Sequence, residues 1–214
     1  MIRNREELKK EFYLVCPVRD ASSTALAFLE NYVDNFEKSH VGVYYPKWDT
    51  TQEGDSIGLK ICTDNLNGIK NSKYAKAFLS RTSEGSLFDL GMIFFLDKIV
   101  EVINPGVIEN LKTHTKQFIT NYAINYSERR GSKIYDAILE RKQKISDAEF
   151  LGIYFNGKTP EFLFDFGMIF ASGKSILLEN RTSVKETNHK SFENVLIELD
   201  RQTREKFNSQ NAIH

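Results

Sequence analysis

Apolar positions along the chain alternate between two periods, and the alternation predicts an α/β fold. Phe12 to Cys16 (FYLVC) is apolar throughout, as a central parallel strand is. It ends at the polar Pro17-Val18-Arg19-Asp20. Ser22 or Ser23 can cap the next segment, where Ala25, Leu26, Phe28, Leu29, Tyr32, Val33 and Phe36 recur at helical spacing. Val41 to Tyr45 predicts a second strand, stopped by Pro46. Residues 47–58 are polar and read as a long surface loop, a length that is often functional. A short helix over Lys60–Lys70 leads to a strand over 74–80. A Ser/Gly loop, a compact apolar helix over Leu87–Leu96 and a strand over Lys98–Asn104 then follow, closed by Pro105.

Beyond Pro105 the pattern predicts a helix over about 108–127, a break at 128–132 and another helix over about 133–143. Phe150–Phe155 (FLGIYF) reads as a further core strand. Asn156 to Pro160 is a turn, with Thr159 as a helix cap and Pro160 at the first helical position. A helix over 161–172, a strand over 175–179 and a last helix over about 190–207 complete the chain. The whole predicts a mainly parallel sheet of five or six strands with flanking helices and an extra C-terminal helical region. Residues 1–11 are a charged lead-in, 12–180 a single α/β domain, and 181–214 a helix and tail.

One octapeptide occurs twice: LFDLGMIF at 87–94 and LFDFGMIF at 163–170, each between two strands. The echo spans 74–104 and 150–180. It places Asp89 and Asp165 in matching positions, six residues after Ser83 and Thr159. Two copies of one helix-on-sheet packing solution is the simpler reading of the second copy; a second site at Asp165 is the other. The copies differ where chemistry is sensitive. Gly85 precedes Asp89 by four residues and lets a ligand approach the backbone, whereas Glu161 stands in that place before Asp165.

Composition narrows the function. The 214 residues are 41% hydrophobic and 27% charged, as an ordinary globular domain is. Lys+Arg and Asp+Glu balance at 29 each, so charge gives no reason to expect nucleic acid or an acidic membrane as partner. Cys16 and Cys62 sit in apolar surroundings and read as buried free thiols. The histidines are scattered, and neither a metal site nor a cofactor is expected. The charged N-terminus and the short apolar runs predict a cytoplasmic protein that does not enter a membrane.

Open α/β sheets bind ligands at the carboxyl ends of their strands. Asp89, early in a helix behind Ser83, Gly85 and Ser86, is the candidate catalytic carboxylate. A capping box, with Ser86 as N-cap and Asp89 at the third helical position, is the alternative reading of the same residues. A positioned carboxylate can stabilise or trap positive charge that develops on a substrate carbon as a bond to it breaks. Asp64 and Asn65 are candidates to serve the leaving group, with a turn or cap as the other reading. Cys16, Arg19 and Asp20 are candidates to line the same crevice, an exposed salt-bridging loop being the other reading of Arg19 and Asp20. Trp48, the only tryptophan, can stack on a base or anchor its loop.

Asp64-Asn-Leu-Asn-Gly-Ile-Lys70, then a strand, then Ser83-x-Gly85-Ser86-x-x-Asp89-Leu90-Gly91, together with FYLVCPVRDAS at 12–22, resemble the nucleoside 2-deoxyribosyltransferase family. Its superfamily includes the 2'-deoxynucleoside 5'-phosphate N-hydrolases. The resemblance covers about residues 12–104. It implies a flavodoxin-like, Rossmann-like sheet and chemistry at C1' of a deoxynucleoside or its 5'-monophosphate. It also implies a covalent deoxyribosyl-enzyme, and a free base or water as acceptor. The family's nucleophilic glutamate matches Asp89, one methylene shorter. Its loop matches Ser83, Gly85 and Ser86, which would hold a sugar hydroxyl or a 5'-phosphate. Homo-oligomers with shared sites are common in the family. A non-catalytic nucleotide-binding domain and a nicotinamide-nucleotide glycohydrolase are the alternative functions.

Overall fold

In the computed structural model, residues 8–19, 21–51, 53–80, 83–111, 115, 116, 118 and 133–211 are described. The strand that anchors the sheet, β1 (Lys10–Val15), has Phe12, Tyr13, Leu14 and Val15 fully buried. Its side chains alternate between two cores. Phe12 and Leu14 face α1 (Ser23–Lys38), where Leu29 and Val33 wait, and they also meet Val43 of β2 (Gly42–Tyr44). Tyr13 and Val15 face the other side, toward α3 (Leu59–Asn71) and α4 (Glu84–Phe95). Ser22 caps α1, its hydroxyl accepting from the Ala25 amide.

Four parallel strands form the main sheet in the order β2-β1-β3-β4, with β3 at Tyr74–Ala77 and β4 at Val100–Val102. The chain moves from β1 to β2 on one side and then returns to β3 on the other. The crevice between β1 and β3 is therefore the switch point of the sheet.

The expected sheet of five or six strands is corrected here. The last two strands, β5 (Phe150–Ile153) and β6 (Ser175–Leu178), pair in parallel as a separate two-stranded sheet. The reason lies in the repeated octapeptide. Its two helices, α4 and α6 (Pro160–Ser172), pack on each other rather than on one continuous sheet. A Cβ on Gly91 would stand 2.0 Å from the Phe164 carbonyl oxygen, and a Cβ on Gly167 would stand 2.0 Å from that of Phe88. The clash is reciprocal, so glycine at both positions sets the helix approach. Phe88 packs against Phe166 and Phe170 beside this crossing.

The repeat extends well past the octapeptide. Asn104 clasps Leu79, donating to its carbonyl oxygen and accepting from its amide, both at 2.8 Å. Asn180 clasps Phe155 in the same way, 76 positions on (Asn104 to Asn180, Leu79 to Phe155). Strand, helix, strand and asparagine clasp recur as a unit, and the two units face each other about a pseudo-two-fold through Gly91 and Gly167.

Other boundaries shift modestly. The segment read as a surface loop opens with the short helix α2 (Pro46–Asp49), and buried Asp55 caps α3, its carboxylate accepting from the Gly58 and Ile61 amides. The expected helix over 108–127 lies largely outside the described residues; its start, Pro105–Asn110, is a 3-10 turn. The break at 128–132 also lies outside them. The later helices are α5 (Lys133–Asp147) and α7 (Phe192–Asn211). Thr159 and Pro160 start α6 as the sequence predicts, the Thr159 hydroxyl accepting from the Phe162 amide.

Candidate functional site

At the carboxyl ends of β1 and β3 a cleft of about 330 Å³ opens above the switch point. Asp89 lies at its floor, 4% exposed, in the second turn of α4. The helix starts at Ser83, whose hydroxyl accepts from the Ser86 amide at 3.2 Å and from the Ser86 hydroxyl at 2.8 Å. The capping-box reading is thereby corrected. Ser83 is the cap, three residues earlier than Ser86, and Asp89 is turned inward away from the helix start. Glu84 supplies the acidic first-turn residue that a helix N-terminus favours.

Two donors hold the carboxylate. The Tyr13 hydroxyl, reaching across from β1, donates to Asp89 Oδ2 at 2.7 Å. The Asn65 amide of α3 donates to Oδ1 at 3.4 Å, while Asn65 Oδ1 accepts from the Thr50 hydroxyl at 2.8 Å. No described cation pairs with Asp89. Burial therefore dominates, raising its pKa from 3.8 to about 7, and the Tyr13 and Asn65 hydrogen bonds pull the other way. Burial, with the Asp89 charge and hydrogen bond adding to it, pushes the Tyr13 hydroxyl well above its usual range. Tyr13 is thus a proton-bearing donor across the neutral range. The stacked Tyr44 ring, 5.2 Å away, backs it, and burial pushes that hydroxyl up to about 12. A carboxylate raised to about 7 is the kind of group that nucleophilic or acid–base chemistry uses.

Cys16, Arg19, Asn65, Ser83 and Gly85 line the cleft with Asp89. Nothing lies within 4 Å of a Cβ built on Gly85, so the backbone there is open to a ligand. Cys16 and Cys62 are both buried free thiols, and burial raises each above its usual range. Ser86 turns to an adjoining cavity of about 260 Å³, which shares Ser83, Glu84 and Lys158 with the first. Asp64 is not among the lining residues: its carboxylate accepts from the Thr51 amide and its carbonyl oxygen from the Tyr44 hydroxyl. Trp48 stands edge-on to Tyr45, outside the lining. Asp165 also lies away from the cleft, paired with Arg141 Nη1 at 2.8 Å. Asp20 lies outside the described residues.

Several residues that line the cleft or hold Asp89 carry no local signal in the sequence. Tyr13 is one apolar-strand residue among five, distinguished only by a hydroxyl that needs a partner when buried. Lys158 arrives from the loop before α6 and bridges Glu84 at 3.2 Å and Glu193 at 3.5 Å. His189 to Phe192 close the far wall, fixed by Arg19 donating to the Lys190 carbonyl oxygen and by the Ser191 amide donating to that of Ile57. Lys158 of the second repeat and the segment that follows that repeat thus supply one wall of the first repeat's cleft. Among the described residues no group of three or more His, Cys, Asp and Glu is placed to hold a metal ion, and no helix is long and apolar enough to cross a membrane. Comparison with protein-family models, curated proteins and solved structures finds no match to this chain.

Proposed function

We propose that the protein cleaves or transfers the N-glycosidic bond of a 2'-deoxynucleoside or its 5'-monophosphate, with Asp89 as nucleophile. The observation that carries this reading is a single buried carboxylate at the floor of a switch-point cleft, held by a tyrosine hydroxyl and an asparagine amide instead of a cation. A carboxylate neutralised by Arg or Lys is a poor nucleophile; this one keeps its electron density available. The local sequence around it resembles the nucleoside 2-deoxyribosyltransferases, and the cleft position agrees with that chemistry.

In the first step an Asp89 carboxylate oxygen bonds to C1' as the C1'–N bond breaks. The bonding pair leaves with the base, which takes up a proton. In the second step water or another base attacks C1', and the C1'–O pair returns to Asp89. The attacking group sheds its proton to solvent. Two displacements give net retention. Tyr13 and Asn65 fix the carboxylate's orientation, and the Ser83–Gly85 segment offers hydroxyl and backbone donors to the sugar side. The nucleophile acts as the anion, so the rate falls as pH drops through about 7.

The test is chromatographic. Purified protein is incubated with each 2'-deoxynucleoside and each 5'-monophosphate, with and without a different free base, alongside Asp89→Asn. A new deoxynucleoside that is absent with the variant marks a transferase, and free base alone marks a hydrolase. Undiminished turnover by Asp89→Asn refutes the assignment. Binding with no product from any substrate leaves a nucleotide-binding domain in its place.

A further inference from the structure

The pseudo-two-fold shows what the second repeat lacks. In a parallel strand, alternate residues direct both backbone groups to one neighbour. In β3 the residues that face β1 are Tyr74, Lys76 and Phe78, and the Phe78 amide donates to the Val15 carbonyl oxygen at 2.8 Å. Their counterparts 76 positions on are Phe150, Gly152 and Tyr154. Ile153 faces β6, its carbonyl oxygen accepting from the Glu179 amide, and Phe155 is held by Asn180. The outward groups of Gly152 and Tyr154 meet no described residue. Among the described residues, none takes in the second repeat the seat that β1 fills in the first.

The two edges of this small sheet are treated differently. Along β6 the outward amides are taken by α7: Ile176 donates to the Thr203 hydroxyl at 3.1 Å and Leu178 to the Asp200 carboxylate at 2.8 Å. Along β5 no described side chain does this. Phe150 is 50% exposed and Tyr154 65%. No charge occurs in the chain from Phe150 to Gly157, although the carboxylate of Glu179, just past β6, stands against Gly152. Soluble proteins guard exposed edges with charge, proline or a covering element, because a bare edge recruits another strand.

From this we infer that the β5 edge is a self-association surface, where β5 of one copy pairs antiparallel with β5 of a second. The edge is complementary to itself. Pairing about Gly152 sets Phe150 of one copy opposite Tyr154 of the other, twice, on one face, with the two glycines at the centre and the Glu179 side chain of each copy over its glycine. Aromatic cross-strand pairs of this kind stabilise antiparallel sheets. It also turns two marginal two-stranded sheets into one of four. A parallel strand in the manner of β1 would have to be a free segment as apolar as FYLVC, and among the described residues that strand is already fully used in the main sheet.

The inference does not depend on the proposed reaction. The experiment is sedimentation equilibrium of the full chain from about 1 to 100 µM, the range in which a small interface associates. It is paired with hydrogen exchange read on the segment 150–155. A mass rising from 24.7 kDa toward twice that value, with the Gly152 and Tyr154 amides protected only at high concentration, is expected. Tyr154→Lys and Phe150→Lys change exposed side chains, retain the fold by circular dichroism, and raise the midpoint concentration about tenfold or more. A monomer throughout the range overturns the inference. So does a dimer that both lysine variants leave intact.

Discussion

Replacing Asp89 by Asn should make the protein more stable while removing its chemistry, and the gain should depend on pH in a defined way. Asparagine has nearly the same shape and keeps a carbonyl oxygen for the Tyr13 hydroxyl. It forfeits the long 3.4 Å contact with the Asn65 amide, a loss of about 1 kcal/mol or less. What it removes is the cost of a buried charge. The Asp89 pKa rises from 3.8 to about 7 on folding, so between those values the folded protein binds the proton that the unfolded chain releases. Wild-type stability therefore falls as pH rises through this window and levels off above about 7. At ~1.4 kcal/mol per pH unit the penalty totals about 4 kcal/mol, an order-of-magnitude upper figure. The variant lacks it. Urea unfolding followed by circular dichroism should find the two proteins within about 1 kcal/mol at pH 4, and the variant ahead by about 3 kcal/mol at pH 8 with an unchanged m-value. A difference that stays constant from pH 4 to pH 8 would refute the claim that Asp89 is the desolvated carboxylate.

Three further outcomes follow from the same geometry. Gly85→Glu copies Glu161 of the second repeat; with nothing within 4 Å of the new Cβ and an acid in a first helical turn, melting should hold or rise slightly while nucleotide binding by calorimetry falls at least tenfold. Gly91→Ala and Gly167→Ala each push a methyl group into a facing carbonyl oxygen, so each should cost about 3 kcal/mol or more in chemical denaturation, and by similar amounts because the contact is reciprocal. Tyr13→Phe deletes a hydrogen bond that lowers the Asp89 pKa, so the acid limb of the pH–rate profile should move to higher pH.

The elements that could be read from the sequence are those whose signals are local. FYLVC announces a buried strand, Thr159-Pro160 a helix start, and Asp89 a carboxylate where solvent-facing residues are scarce. The start of α4 was harder, because Gly85 and Ser86 have weak helix propensity and read as loop. The Ser83 cap and Glu84 outweigh that propensity in the fold. The strand count failed for a different reason. FLGIYF and SILL are good strands, but membership of a sheet is decided by what packs on their helices, and the Gly91–Gly167 approach turns the second unit onto the first. Lys158 and the segment 189–192 enter the cleft only through that tertiary arrangement, so nothing near them in the chain marks them as site residues.

The same repeat sets the surroundings of Asp89, the carboxylate proposed as nucleophile, apart from those of Asp165. Positions 65 and 141 are equivalent, as are 89 and 165, and each earlier residue sends a donor to its aspartate. In the first unit that donor is a neutral amide at 3.4 Å, which orients Asp89 and leaves its charge uncompensated. In the second it is the Arg141 guanidinium at 2.8 Å, which commits Asp165 to an ion pair. Burial still raises the Asp165 pKa to about 6 against the pull of Arg141, and one of its oxygens is buried without a partner. Glu161 then stands where Gly85 leaves the first cleft open. The second unit has kept the strand, helix and asparagine clasp that packing requires, and has changed the residues that a ligand would meet. Its Lys158 serves the other unit's cleft, held there between Glu84 and Glu193. If Asp89 is the nucleophile, as proposed above, the second unit contributes its packing face and Lys158 to that cleft, while Asp165 is held in its ion pair with Arg141.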